Sequence, residues 1–234
     1  MPYSLIIPIY NEENTLPQLL DDLKLVHQDA QIIIVNDGST DETNTILKDE
    51  SGIDVIVHDT NQGKGVAIQT GLEKVEKDLV IIMDGDLEVS VDDIPALLQH
   101  FEENNNSMAV IGVRWKENQK RSLSINDLGN KFLNGCFNSL FGTSFTDILC
   151  CFKAMPTDLI RSFELKSQGF GIETEIMANL ASNNIPFQEV NIRYNRRDSK
   201  QGKKLQISDG WNILFTMLEF RRKIKKPAAP ANYR

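Results

Sequence analysis

Asp84, Asp86 and Glu88 stand two residues apart in the stretch MDGDLE (83–88), directly behind the apolar run LVIIM. Three carboxylates this close repel one another, and a bound cation would offset the repulsion. Oxygen ligands of this kind suit Mg2+ or Mn2+, which in turn hold diphosphate oxygens. For a lone Asp-x-Asp a solvated turn is the better account. Here the apolar run before it favours the metal. A second group is cationic: Arg196, Arg197, Lys203 and Lys204 lie within NRRDSKQGKK (195–204), in a chain of net charge −8. Such a run is commonly a solvated surface, but beside a metal-held diphosphate it reads as a flap over the leaving group. Arg114, which follows another apolar run, is placed to join it. Lys64 lies in GKG (63–65). The dinucleotide fingerprint fails because Ile68 stands where its third glycine belongs, and the pattern GxxxxGK[ST] is absent. Two readings of GKG stay open: helix N–H groups facing a phosphate, or a tight turn that needs glycine. His27, His58 and His100 share no spacing and are read as structural, and no Ser/His/Asp nucleophile arrangement is visible.

In the first half of the chain, apolar runs alternate with helical periodicity. Residues 3–9, 31–35, 53–57 and 79–83 read as strands; 14–26 and 65–75 carry helical spacing. Ser39-Thr40-Asp41-Glu42 reads as a capping box opening a helix with Ile46 and Leu47. This order implies a parallel sheet with helices on both faces, and ligands collect at the carboxyl ends of such strands. Tyr10-Asn11-Glu12, Asp37 and the 84–88 acids all fall there. Further on, a helix is expected over 92–106, a strand over 108–113 and a helix then a loop over 123–145. A strand over 152–155, a helix over 173–181, a strand over 187–194 and a helix over 209–226 complete the series. The expected organisation is one domain over 1–220, then a basic, disordered tail over 221–234.

The 234 residues suffice for a sizeable core, and 41% hydrophobic with 25% charged is the balance of a soluble globular protein. Net acidity argues against nucleic acid as a partner, since phosphate backbones demand a basic face. The charge is uneven: residues 219–234 hold six cations against Glu219, a net +5 that leaves −13 for residues 1–218. No leader and no apolar run near the roughly 20 residues of a membrane span is visible. Three cysteines, two adjacent, form neither a disulfide framework nor a zinc signature, so a cytoplasmic location is the default.

In order along the chain, PIYNEE (8–13), VNDGSTD (35–41), NQGKGVAIQTG (61–71), MDGDLE, GVRW (112–115), GNKFLN (129–134), DILCCFK (147–153), IETEI (172–176) and RRDSKQGKKLQISDG (196–210) resemble the family-2 nucleotide-sugar glycosyltransferases. Within that family the chain is most similar to the dolichyl- or polyprenyl-phosphate mannose and glucose synthases. The resemblance implies a GT-A fold, a Rossmann-like, mainly parallel α/β sheet with helices on both faces. It also implies that Pro8, Tyr10 and Glu12 frame the nucleotide base and ribose and that Asp37 reads the base edge. Asp84 would lie near ribose and metal, Asp86 on the metal, and Glu88 would be a further ligand. Arg114, Arg197 and Lys203 would contact phosphates, with Lys64 on the donor side. One departure stands out: where the family pattern has a glutamate, this chain has Leu149.

The implied reaction is inverting transfer of a hexose from a GDP-mannose or UDP-glucose type donor to a polyprenyl phosphate. Two alternatives stand beside it: the same fold acting on a soluble sugar or glycan hydroxyl, and a non-catalytic nucleotide-sugar binding module. A lipid phosphate is already ionised and requires no general base, whereas a hydroxyl requires one. For that role Asp147 is the first candidate and Glu173 or Glu175 the second. Trp211, Leu214, Phe215 and Leu218, followed by the basic cluster, either pack on the sheet or rest on an anionic membrane through residues 211–226.

Overall fold

The computed structural model describes residues 1–24, 30–48, 50–103, 108–114, 125–197 and 207–223. Its centre is a seven-stranded sheet of β1 (Ser4–Ile9), β2 (Gln31–Asn36), β3 (Asp54–Val57), β4 (Leu79–Ile82), β5 (Ala109–Val113), β6 (Lys153–Pro156) and β7 (Phe187–Asn191). The spatial order is β3-β2-β1-β4-β6-β5-β7. Only β6 runs against its neighbours, pairing antiparallel with β4 and with β5. The remaining pairs are parallel.

Strands buried on both faces need no polar alternation, and SLIIPI, LVII and AVIGV are buried throughout. Alternate residues feed two separate cores. Leu5, Ile7, Ile34 and Ile81 meet Leu16, Leu19 and Leu23 of α1 (Leu16–Leu23) and Ile94, Leu97 and Phe101 of α4 (Ile94–Glu103). On the opposite face Ile6, Ile33, Val80 and Ile82 meet Ala67, Ile68 and Leu72 of α3 (Lys64–Lys74). That layer also takes Phe137 of α5 (Ile125–Phe141), Ile172 and Ile176 of α7 (Gly171–Ser182), and Ile213 and Met217 of α8 (Ile207–Lys223). Each fully buried side chain of this size contributes about 1.5–3 kcal/mol relative to exposure. The expected architecture is therefore present, including the helix that carries Ile46 and Leu47, α2 (Thr43–Leu47), with one short addition, α6 (Thr157–Ser162).

Two local readings differ from the sequence expectation. The 39–42 capping box does not form: α2 begins at Thr43, and Glu42 supplies no side-chain cap. Those side chains instead tie the loop after β2 to the loop after β1. Asn11 N–H donates to Ser39 Oγ (2.8 Å), Glu13 N–H to Asp41 Oδ2 (3.1 Å), and Thr40 N–H to Asn11 Oδ1 (2.8 Å). Asn11 adopts a left-handed conformation (φ 50°) to make this turn. At the other end of the chain α8 continues through Arg221, Arg222 and Lys223, so the expected tail begins inside a helix; residues 224–234 lie outside the described residues.

The helix-start question at GKG also has an answer. Gly65 N–H and Val66 N–H donate to the Gln168 carbonyl (2.6 and 3.2 Å), so these amides hold a loop rather than a phosphate. A Cβ on Gly65 would strike the Ser167 backbone, and one on Gly63 (φ 96°) would lie 2.5 Å from Gln168 O. The glycines allow this close approach.

Candidate functional site

The carboxyl ends of β1, β2, β4, β5 and β7 lie along one edge of the sheet, and the reversed β6 brings its starting end there. A cavity of about 380 Å3 opens at that edge. Pro8, Tyr10, Glu12, Asp37, Lys64, Asp84, Asp86, Glu88, Arg114, Glu173 and Arg197 all line it, so most of the sequence-predicted site is gathered in one place. Among the described residues its wall carries seven carboxylates against four cations. Lys203 and Lys204 lie outside the described residues, as do His27 and Trp115.

At the base of α3, Lys64 Nζ reaches both Asp84 Oδ1 (2.6 Å) and Glu173 Oε1 (2.8 Å). Lys153, fully buried, holds the other Glu173 oxygen (2.8 Å) and also donates to the Cys150 carbonyl. Burial alone would raise the Glu173 carboxyl, but Lys153 and Lys64 outweigh it and bring the pKa down to about 2. Asp84 moves the other way: burial, with Asp86 and Glu173 nearby, holds it above the ordinary carboxylate value despite Lys64.

Arg197 closes the opposite side. Its guanidinium donates to both oxygens of Glu12 (2.9 and 3.1 Å) and lies 2.8 Å from Asp86 Oδ2. These hydrogen bonds and charges raise the guanidinium pKa although its burial works against them. Glu88, expected as a third metal ligand, carries two hydrogen bonds on its carboxylate. Its oxygens accept from Arg197 N–H (3.0 Å) and Tyr194 O–H (3.1 Å), pinning the segment after β7 over the cavity. Among the described residues no group of three or more His, Cys, Asp or Glu stands ready to hold a metal. Asp84 and Asp86, two carboxylates on a wall that is net acidic among the described residues, have the donor chemistry that fits a cation. A hard divalent ion held by one or two carboxylates takes the rest of its ligands from substrate phosphates and water.

The general-base candidates are all engaged. Asp147 is 3% exposed, and its two oxygens accept from Arg114 Nε and a terminal nitrogen, each at 2.8 Å. It thereby fixes Arg114, whose guanidinium also sits 5.4 Å from the Tyr194 ring centroid. Asn134 of the GNKFLN stretch sets this geometry, accepting from Ile148 N–H and donating to Phe145 O. Glu175 lies outside the cavity lining, and its carboxylate accepts from the Lys166 and Ser167 N–H groups, a purely structural task.

Asp37 sits at the buried end of the cavity with three partners. Oδ1 accepts from Gln62 N–H (2.9 Å) and meets His58 Nδ1 (2.7 Å), and Oδ2 accepts from Gly63 N–H (2.8 Å). Sequence reading left His58 among the structural histidines and missed this pair. The signal was there: parallel β2 and β3 pair Asn36 with Val57, so the residues that follow fall side by side. The ion pair of Arg196 with Asp127 (3.0 Å), both in the cavity wall, was also missed.

On the outer surface, Trp211, Phe215 and Leu218 of α8 stand 65, 67 and 45% exposed, beside Phe132 of α5 at 63%. Ile213 and Met217 make the core contacts instead. None of the described helices is long and apolar enough to cross a membrane.

The comparisons with known proteins agree with this geometry. The family model described as "Glycosyl transferase family 2" matches residues 4–160. The chain is 30% identical over 226 residues to glycosyltransferase AglJ of Haloferax volcanii, covering 95% of this chain and 73% of that one. It is 31% identical over 166 residues to an undecaprenyl-phosphate 4-deoxy-4-formamido-L-arabinose transferase of Proteus mirabilis. That match covers 67% of this chain but 49% of the relative, so the chain spans about half of its length. Among solved structures, glucosyl-3-phosphoglycerate synthase from Mycobacterium tuberculosis, in complex with Mn2+, UDP and phosphoglyceric acid, superposes with a TM-score of 0.74. The match covers 94% of this chain and 78% of that one, and at 18% identity it speaks for the fold alone.

Proposed function

The chain belongs to glycosyl transferase family 2, and from that premise we propose that it moves a hexose from a nucleoside-diphosphate sugar to a polyprenyl phosphate, with inversion. The observation that carries this reading is the state of the cavity's carboxylates. Glu12, Asp86 and Asp127 face arginines, Asp84 and Glu173 face lysines, and Asp37 and Glu88 accept N–H or O–H groups. A carboxylate held at a pKa of about 2, as Glu173 is, makes a poor proton acceptor. An acceptor that arrives already ionised needs none. A polyprenyl phosphate meets that condition and a sugar hydroxyl does not. The name of the Proteus mirabilis relative, an undecaprenyl-phosphate sugar transferase, fits the same class of reaction, and that of the Haloferax volcanii relative fits glycosyl transfer.

In this mechanism Pro8 and Tyr10 flank the base, Asp37 reads its edge, and Glu12 stays fixed by Arg197. Asp84 and Asp86 would hold a divalent cation, Mg2+ or Mn2+. When bound there it would supply positive charge against the departing diphosphate. Arg197, beside Asp86, and Lys64, beside Asp84, bring the protein's own charge to the same leaving group. Arg114, oriented by Asp147, faces the incoming phosphate from the side of β5. The exposed Trp211, Phe215, Leu218 and Phe132 supply an apolar surface that suits contact with the lipid phase carrying such an acceptor.

The deciding experiment follows radiolabel from GDP-mannose and UDP-glucose into an organic-extractable product, with polyprenyl phosphate and Mn2+ present. Label entering the lipid phase supports the reading. Label that enters only water-soluble glycans would move the acceptor to the hydroxyl class.

A further inference from the structure

Asp37 has little acceptor capacity left, and the residue that uses part of it is His58. An ionised carboxylate only accepts, so Nδ1 of His58 carries the proton it gives to Asp37 Oδ1 at 2.7 Å. The other ring nitrogen meets the Thr70 hydroxyl at 3.0 Å, so both ring nitrogens are engaged. Gln62 N–H takes the second lone pair of Oδ1, and Gly63 N–H takes one of the two on Oδ2. One acceptor position remains.

We infer that His58 makes this site select a uracil over a guanine donor by leaving Asp37 a single acceptor position. The inference rests on the nucleotide-sugar reading and narrows it. Uracil presents one N–H between two carbonyls on its pairing edge. Guanine presents a ring N–H and an adjacent amino group, a pair that a carboxylate meets with two free positions. Cytosine and adenine turn a ring lone pair toward the carboxylate and are repelled. Asp37 is 3% exposed, so a guanine amino group brought against it leaves water behind without gaining a partner. The anchoring is rigid from both sides. Thr70 lies on α3, packed on the sheet, and His58 N–H donates to the Asn36 carbonyl (2.9 Å), tying the loop after β3 to the end of β2. His58 is a positioning residue: it acts on the base through Asp37.

The test is calorimetric titration of the full chain, with Mn2+, using UDP, GDP and UDP methylated at uracil N3. UDP is expected to bind at least about tenfold more tightly than either of the others. In His58→Phe the UDP-to-GDP ratio is expected to fall at least threefold, and His58→Asn, whose amide replaces the Nδ1 donor, to restore it. Thr70→Val, which frees the ring, is expected to shift the ratio the same way as His58→Phe, and covers the case in which that variant does not fold. GDP binding as tightly as UDP, or a ratio unmoved in both His58→Phe and Thr70→Val, would overturn the inference while leaving the donor class intact. Binding of neither nucleotide would overturn both.

Discussion

Lys64 Nζ lies 2.6 Å from Asp84 Oδ1, so one of the two carboxylates that follow β4 is neutralised by a cation from the start of α3. Asp86 is neutralised in the same way by Arg197, from the far side of the cavity. Each acid of the pair therefore has a protein cation at hand before any substrate arrives.

That arrangement makes the dependence on added metal a sharp test. Nucleoside diphosphate and Mn2+ together are expected to raise the melting temperature of the native protein more than the nucleotide alone. Asp86→Ala is expected to abolish the difference and to lower transfer activity by about 100-fold or more. A variant that kept its metal-dependent shift would remove Asp86 from the cation site.

Asp147 is expected to matter for stability first. Asp147→Asn leaves the Arg114 guanidinium buried without its counter-charge, a loss of about 3 kcal/mol or more in urea unfolding. If Asp147 were a proton acceptor instead, the same variant would unfold normally and lose activity alone.

The Lys153–Glu173–Lys64 chain predicts an acid limb. Folding holds the Glu173 pKa at about 2, below the ordinary value of 4.5, so its stabilisation is complete above about pH 4.5 and drains away as pH falls toward 2. Glu173→Gln is expected to flatten that limb of the stability profile, with a loss on the order of 3 kcal/mol at neutral pH. Acid titration followed by circular dichroism checks both.

The outer face of α8 predicts membrane association. Trp211→Ser with Phe215→Ser removes two side chains that are 65 and 67% exposed, so folding is expected to be unaffected. Binding to anionic vesicles in co-sedimentation is expected to fall about tenfold or more, and native binding to weaken with salt. No binding by the native chain at low salt would sink the idea.

Sequence reading reached most of the fold and brought most of its candidate residues to one cavity, because both rest on strand signals. Runs such as LIIPI and LVII are continuous, and the acids that follow them fall at one sheet edge as a matter of topology. It missed α6, a six-residue helix that starts directly after β6 with no break between them. The capping box failed for a different reason: Ser39 and Asp41 had better partners on a loop 28 residues away. Partnerships of that kind engage Asp147, Glu88 and Glu175 too. Their residue types announce chemistry, but spacing alone does not show that Asp147 meets Arg114, that Glu88 accepts from Arg197 and Tyr194, or that Glu175 accepts from the 166–167 amides. In α8 two apolar stripes exist, and only packing reveals that Ile213 and Met217 face inward.

The reversal of β6 has a wider consequence. Because this strand enters at the site edge rather than leaving there, DILCCFK reaches the cavity from the second half of the chain, and the loops after β1, β2 and β4 reach it from the first. The two halves meet across the β4–β6 pairing and through the ion pairs of Lys64 with Glu173 and Arg197 with Glu12. Leu149 lines the cavity from the second half. The cavity is thus assembled from both halves, and neither carries it alone.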